Sequence, residues 1–272
     1  MKFIDREREL KSLNNWWKES KAHLVIIYGR RRIGKTELIK QFIKNKPSIY
    51  FLADKVSDKE NLKMLSKNIG AFFNDRYIED AGFNEWFHLF DYIKSKNKRI
   101  ILAIDEFPYL AESNKAISSI FQKGWDEYLK DTKIFLILSG SSIGMMETET
   151  LILKAPLYGR RSGQILLSTL RFEDFKIFFP HKKFDELIKV HTVTGGTPAY
   201  ILQFSEKLPF KSLLKKRIFN TREYLYNEVE FILKEELREP RTYLSILRAI
   251  AWGKRKFGEI VNETGLEKNI IM

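Results

Sequence analysis

The stretch Tyr28-Gly29-Arg30-Arg31-Arg32-Ile33-Gly34-Lys35-Thr36 matches the pattern G-x-x-x-x-G-K-S/T in full. Its surroundings read as strand, loop and helix. The apolar run Leu24–Tyr28 precedes it, and Glu37-Leu38-Ile39-Lys40-Gln41-Phe42-Ile43 follows with amphipathic helical spacing. A loop at such a junction aims several backbone N–H groups at one point, and the helix N-terminus adds the positive end of its dipole. The glycines let backbone approach phosphate oxygens. Lys35 suits the β- and γ-phosphates, and the Thr36 hydroxyl suits Mg²⁺. Gly29, Arg30, Arg31, Arg32, Ile33, Gly34, Lys35, Thr36 and Glu37 are therefore the expected nucleotide-binding segment, with ATP and Mg²⁺ as the ligands.

Further apolar runs at Ile49–Ala53, Ile100–Ile104, Ile134–Leu138 and Gln164–Leu167 read as buried parallel strands. Helical patterns fill the gaps at 35–45, 58–73, 83–96 and 114–130. Strands alternating with helices predict an α/β domain with a parallel sheet. The run Ile100-Ile101-Leu102-Ala103-Ile104 ends in Asp105-Glu106. At the carboxyl end of a strand in an open sheet, both carboxylates would face the phosphate loop. Asp105 suits an outer-sphere role toward Mg²⁺, and Glu106 suits polarisation of the attacking water. Between Gly34 and Asp105 lies one more strand run, Ile49–Ala53. That spacing suits the P-loop class in which a strand is inserted between the phosphate-loop strand and the Asp-Glu strand, a class that typically hydrolyses ATP with an adjacent glutamate. No N/T-K-x-D tetrad for guanine recognition is present.

The run Ile134–Leu138 leads into Ser139-Gly140-Ser141-Ser142. A polar residue there would sit between Asp105 and the γ-phosphate and orient water. Ser139 is the first candidate and Ser141 the second; a Ser/Gly turn satisfied by its own backbone is the alternative. Arg160 and Arg161, in Pro156-Leu157-Tyr158-Gly159-Arg160-Arg161, are candidates for contacting a γ-phosphate in the same subunit or a neighbour's. Exposed arginine pairs also serve simply as solvated surface.

The 272 residues suffice for one large or two smaller domains, and 44% hydrophobic with 31% charged content fits a globular chain. No apolar run approaches the roughly 18 residues of a membrane span, so no membrane partner is expected. The opening Met1-Lys2-Phe3-Ile4-Asp5-Arg6-Glu7-Arg8 reaches charge at once and lacks a signal-peptide core, so a cytoplasmic setting is expected. The absence of cysteine excludes disulfides, thiolate metal sites and cysteine catalysis. The net charge of +13 favours a polyanionic partner such as nucleic acid. A Lys- and Glu-rich hyperthermophile composition accounts for it equally well.

Together these motifs resemble the archaeal ATPase family of P-loop proteins, in the AAA+/STAND assemblage. The resemblance rests on Phe3-Ile4-Asp5-Arg6-Glu7-Arg8-Glu9-Leu10, the loop Gly29–Thr36 with its triple arginine, and Asp105-Glu106-Phe107-Pro108-Tyr109-Leu110. Ser139–Ser142, Pro156–Arg161 and Thr194-Gly195-Gly196-Thr197-Pro198 complete it. It implies an AAA+-like core in which Ile4 and Arg6 border the adenine and Pro198, in a helical-lid turn, lies near it. The expected domains are a P-loop core at 1–170, a helical lid at 171–235 with long amphipathic stretches at 199–205 and 220–237, and a partial winged-helix-like segment at 236–272. Two short helices with a basic turn are expected in that last segment. A third would begin near Leu266, where the sequence is about to end.

The reading that follows is a nucleotide-dependent switch, with ATP and Mg²⁺ bound between core and lid and slow hydrolysis promoted by Glu106. The competing readings are a nucleic-acid-binding regulator with a structural or degenerate ATP site, and a small-molecule P-loop kinase. Expected partners are nucleic acid held weakly without sequence preference, and a protein partner or second copy of the chain.

Overall fold

The computed structural model describes residues 5–205, 207–237 and 239–271. In chain order the elements begin with α1 (Glu7–Lys18), β1 (His23–Tyr28), α2 (Lys35–Ile43), β2 (Ser48–Leu52), α3 (Asp58–Phe73), α4 (Arg76–Ala81) and α5 (Trp86–Lys96). There follow β3 (Ile101–Asp105), α6 (Phe107–Ser113), α7 (Ile117–Gly124), β4 (Phe135–Gly140), α8 (Ile143–Met146), β5 (Gly163–Leu166) and α9 (Phe175–Phe178). The remainder is helical: α10 (Phe184–Thr194), α11 (Pro198–Ile201), α12 (Phe210–Arg217), α13 (Glu228–Glu236), α14 (Pro240–Ala251), α15 (Phe257–Thr264) and α16 (Lys268–Ile271).

The five strands form one parallel sheet in the order β2-β3-β4-β1-β5. Every residue of β1, β3 and β4 is buried, as strands covered on both faces must be. Successive side chains therefore feed two cores. Val25 and Ile27 join Leu38, Ile39 and Phe42 of α2 on one face. Leu24 and Ile26 join the helices between β2 and β4 on the other, among them Phe90 and Phe121. Each such aliphatic side chain contributes about 1.5–3 kcal/mol on burial.

The strand lying between β1 and β3 is β4, whereas the run between them in sequence, Ile49–Ala53, forms β2 at the sheet edge. Parallel pairing needs a crossover, so chain order and sheet order part company. Helix α7 runs on through a wider π-type turn at Trp125–Leu129. The stretch expected as one helix over 220–237 is helical only from Glu228. The Asn220 side chain accepts from the Arg222 N–H, and this local bond competes with a helical start. Likewise 199–205 holds only the short α11.

The chain divides into two compact units, Met1–Pro180 with Thr194–Ile201, and His181–Val193 with Leu202–Met272. The first carries the sheet. In the second, α13, α14 and α15 pack in succession.

Candidate nucleotide-binding site

The carboxyl ends of β1, β3 and β4 lie side by side, and the loops leaving them gather the polar residues. The loop after β1 turns on two glycines. A Cβ on Gly29 would stand 2.4 Å from the Leu167 carbonyl oxygen, so no side chain fits there. Gly34 has φ +93° and faces open space, a conformation favouring glycine with room in front of it. Helix α2 starts at Lys35, so its first N–H groups point into this loop. The Lys35 side chain is buried, and its Nζ donates to the carbonyls of Gly29 (2.9 Å) and Arg30 (3.0 Å).

Asp105 ends β3 fully buried. Its Oδ2 accepts from the Thr36 hydroxyl at 2.6 Å and from the Tyr50 hydroxyl at 2.9 Å, while Oδ1 accepts from the Glu106 N–H at 3.1 Å. Burial, and then the Asp105 carboxylate, push the Tyr50 phenol above its ordinary range. Glu106 holds a left-handed backbone (φ 55°, ψ 44°) at the start of α6. That conformation costs a non-glycine residue roughly 1–2 kcal/mol. Its Oε2 is held by Ser141 twice, from the backbone N–H (3.1 Å) and the hydroxyl (2.8 Å). Ser139 is fully buried, on the same sheet face as Asp105 by strand alternation, and its hydroxyl has no hydrogen-bond partner among the described residues.

Around this centre, Arg31 donates to the Tyr109 hydroxyl at 2.9 Å. The Arg32 guanidinium lies 6.0 Å from the Tyr200 ring, and the Arg32 carbonyl accepts from the Ala199 N–H at 3.4 Å, which ties the start of α11 to the loop. Pro198 starts α11, and Gly196, with φ +74°, accepts from the Leu170 N–H at 2.8 Å. Arg6 is buried and donates to the Ser168 carbonyl (2.6 Å) and the Ile33 carbonyl (3.3 Å). It lines a cavity of about 170 Å³ with Asp5, Arg8, Ser168, Thr169 and Arg171. Ile4 lies outside the described residues. Arg30 and Glu37 are exposed, and Ile33 is buried against the Gly29 backbone.

The two arginines past Gly159 differ. Arg160 grips Asp126 with Nε (2.9 and 3.1 Å) and Nη2 (2.8 Å), and its Nη1 reaches the Pro156 and Tyr158 carbonyls. Arg161 lies over the Tyr158 ring at 5.2 Å and keeps a buried Nη1 without a hydrogen-bond partner among the described residues.

Two participants were missed from sequence. Tyr50 is an aromatic with a polar tip in an otherwise aliphatic and phenylalanine-lined run, which is its only signal. Asp126 sits in an unremarkable Trp-Asp-Glu-Tyr stretch.

Among the described residues no group of three or more His, Cys, Asp or Glu side chains is placed to hold a metal. A divalent ion would therefore take Thr36 and Asp105 with oxygens from phosphate and water, the manner in which Mg²⁺ usually binds. The residues present fit it: one hydroxyl and one buried carboxylate, 2.6 Å apart, at the first turn of α2.

A glycine-turned loop opening a helix, beside a strand that ends in Asp-Glu, within a parallel sheet of this order, defines a P-loop ATPase domain. Residues 3–204 match the model of an ATPase domain found predominantly in Archaea, and the chain belongs to that family. An uncharacterized protein of Methanocaldococcus jannaschii is 39% identical over 265 residues, covering 97% of this chain and 58% of that protein. The chain thus spans less than two thirds of that relative's length. A second protein of the same organism, named as an uncharacterized ATP-binding protein, is 57% identical over 44 residues, 16% of this chain and 75% of its own. Among solved structures, a Walker-type ATPase of Pyrococcus abyssi superposes with a TM-score of 0.65 at 21% identity, covering 97% of this chain and 84% of that one. The ORC2 protein of Aeropyrum pernix gives 0.61 at 14% identity, over 96% and 80%. At such identities these two show a shared fold. By family the chain is an ATPase domain. Among the described residues no helix is long and apolar enough to cross a membrane.

Proposed function

We propose that this chain binds ATP with Mg²⁺ and hydrolyses it slowly, as a nucleotide-dependent switch. The observation that carries the reading is the convergence of Thr36, Asp105 and Glu106 at the mouth of the Gly29–Thr36 loop. In this reading the loop amides from Gly29 to Glu37 surround the phosphates, and Lys35 leaves its resting carbonyls for the β- and γ-oxygens. Thr36 and Asp105 hold the ion, which when bound neutralises charge on the phosphates. Arg6 and Pro198 border the base.

Hydrolysis needs a water oxygen to bond the γ-phosphorus while the bridging β–γ P–O bond breaks and ADP departs. Glu106 accepts the water's proton as that bond forms. Its Oε2 is held by two Ser141 donors, a restraint on the carboxylate's reorientation that fits slow turnover. Ser139, buried with an unused hydroxyl, orients the water. Arg161 is favoured over Arg160 for the developing charge, because Asp126 already occupies Arg160. The helical lid at 171–235 and the winged-helix-like segment at 236–272 carry the read-out. Glu106→Gln tests the chemistry: it keeps the shape and loses the base, so ATP should stay bound while phosphate release falls at least roughly 100-fold. Turnover at the wild-type rate would move the base elsewhere.

A second reading rests on the net charge of +13 and on Lys254-Arg255-Lys256 in the turn joining α14 to α15. Both favour weak nucleic-acid binding without sequence preference, by counterion release. A duplex and its scrambled version should compete equally, with affinity falling steeply as salt rises.

A further inference from the structure

Asp105 is the most completely enclosed charge-bearing group of the site, at 0% exposure. A carboxylate taken out of water needs hydrogen-bond donors to satisfy its oxygens and hold one orientation. Three are present: the Thr36 hydroxyl, the Glu106 N–H, and the Tyr50 hydroxyl. The first two belong to the loop helix and to the carboxylate's own chain neighbour. The third comes from a different strand. Tyr50 pairs in register with Ala103, two residues before Asp105, so both side chains leave the sheet on the face covered by α2. Its ring packs against that core, with the Lys40 ammonium 5.8 Å from the ring centre. The hydroxyl therefore arrives at Oδ2 on a rigid strand.

We propose that Tyr50 is a positioning residue for the divalent ion: its hydroxyl, held by the edge strand β2, fixes the Asp105 carboxylate in the rotamer that the ion requires. This inference rests on the nucleotide site proposed above. The geometry assigns a division of labour. Thr36 shares Oδ2 with Tyr50, and a hydroxyl that turns a lone pair to a cation has its direction set by that cation. Tyr50 has no such second duty. It keeps Oδ2 pinned, and Oδ1 pinned to the Glu106 N–H, whether or not nucleotide is bound. Without it, a buried carboxylate with one donor fewer is free to rotate, and rotation removes a ligand from the ion's surroundings.

The test is the Mg²⁺ dependence of binding of a fluorescent N-methylanthraniloyl ADP, measured for wild type, Tyr50→Phe, Asp105→Asn and the double variant, each also in EDTA. Tyr50→Phe keeps the ring and its packing. The half-saturating Mg²⁺ concentration should rise roughly tenfold, the loss of one hydrogen bond to a charged group. Affinity in EDTA should be unchanged. In the Asp105→Asn background, Tyr50→Phe should add less than about twofold, since contacting partners do not act independently. An unaltered Mg²⁺ requirement in Tyr50→Phe overturns the inference and leaves the nucleotide site standing. An equal loss with and without Mg²⁺ also overturns it, since it marks Tyr50 as packing alone. Wild-type binding indifferent to Mg²⁺ refutes the proposed site, and the inference falls with it.

Discussion

Replacing Arg99 by alanine should destabilise the first unit severely while leaving nucleotide affinity untouched. Arg99 precedes β3 at the amino end of the sheet, opposite the loops of the nucleotide site. Its guanidinium donates to the carbonyls of Trp16 (3.3 Å), Trp17 (2.9 Å), Lys21 (2.5 Å) and Lys133 (2.8 Å). The plane also lies 4.5 Å from the Trp17 ring centre. One side chain thus ties the end of α1, the entry to β1 and the entry to β4 to β3. Arg99 is partly accessible, so water replaces some of what is lost, and each bond nets about 0.5–1 kcal/mol. Four bonds give about 2–4 kcal/mol, and the cation over the ring adds about 0.5–1. At about 2–4 °C per kcal/mol for a domain of this size, the melting temperature of the first unit should fall by roughly 5–20 °C. Arg99→Lys should recover less than half, because an ammonium lacks the planar fork needed to reach four carbonyls. Calorimetry reads the stability, and fluorescent-nucleotide titration well below the transition reads the site. A melting temperature within about 2 °C of wild type would refute the clasp. A weakened nucleotide affinity in the folded variant would refute the separation of structural and chemical ends of the sheet.

Ser141→Ala removes one of two donors restraining Glu106, so steady-state phosphate release should rise by up to roughly tenfold at unchanged ATP affinity; a fall would place the hydroxyl in the reaction itself. Arg160→Ala breaks the grip on Asp126 and should cost about 1–2 kcal/mol of stability, discounted for partial exposure, with little effect on turnover. Arg161→Ala should show the reverse pattern, and the paired melts and rate assays distinguish them. His23 is buried against Phe135, neither ring nitrogen is hydrogen-bonded among the described residues, and burial lowers its pKa, outweighing the Glu19 carboxylate 3.5 Å away. Between the depressed folded value and the unfolded value near 6.5, the unfolded chain binds more protons, so stability should fall as pH drops through that window. His23→Phe should flatten that slope in urea titrations across pH 5–7; an unchanged slope would assign the dependence to other groups.

Much of the core was legible because its signals are local. A strand buried on both faces is a continuous apolar run, and all the expected runs became strands within two residues of their expected ends. The helical unit was less legible. Turn-forming side chains such as Asn220 compete with helix at single positions, and periodicity averaged over a window does not register them.

By itself the sequence determined the phosphate loop, the helix that opens from it and the strand ending in Asp105-Glu106, because each is specified by contiguous residues and by backbone needs that only certain residues meet. Only the tertiary structure decided what surrounds those carboxylates. Setting β4 between β1 and β3 brings Ser141 to Glu106, and setting β2 at the far edge brings the Tyr50 hydroxyl to Asp105. The grip of Asp126 on Arg160 likewise spans 34 residues of chain. Parallel strands exchange neighbours through crossovers of any order, so pairing is a property of how the whole sheet packs, and no single run of residues carries it.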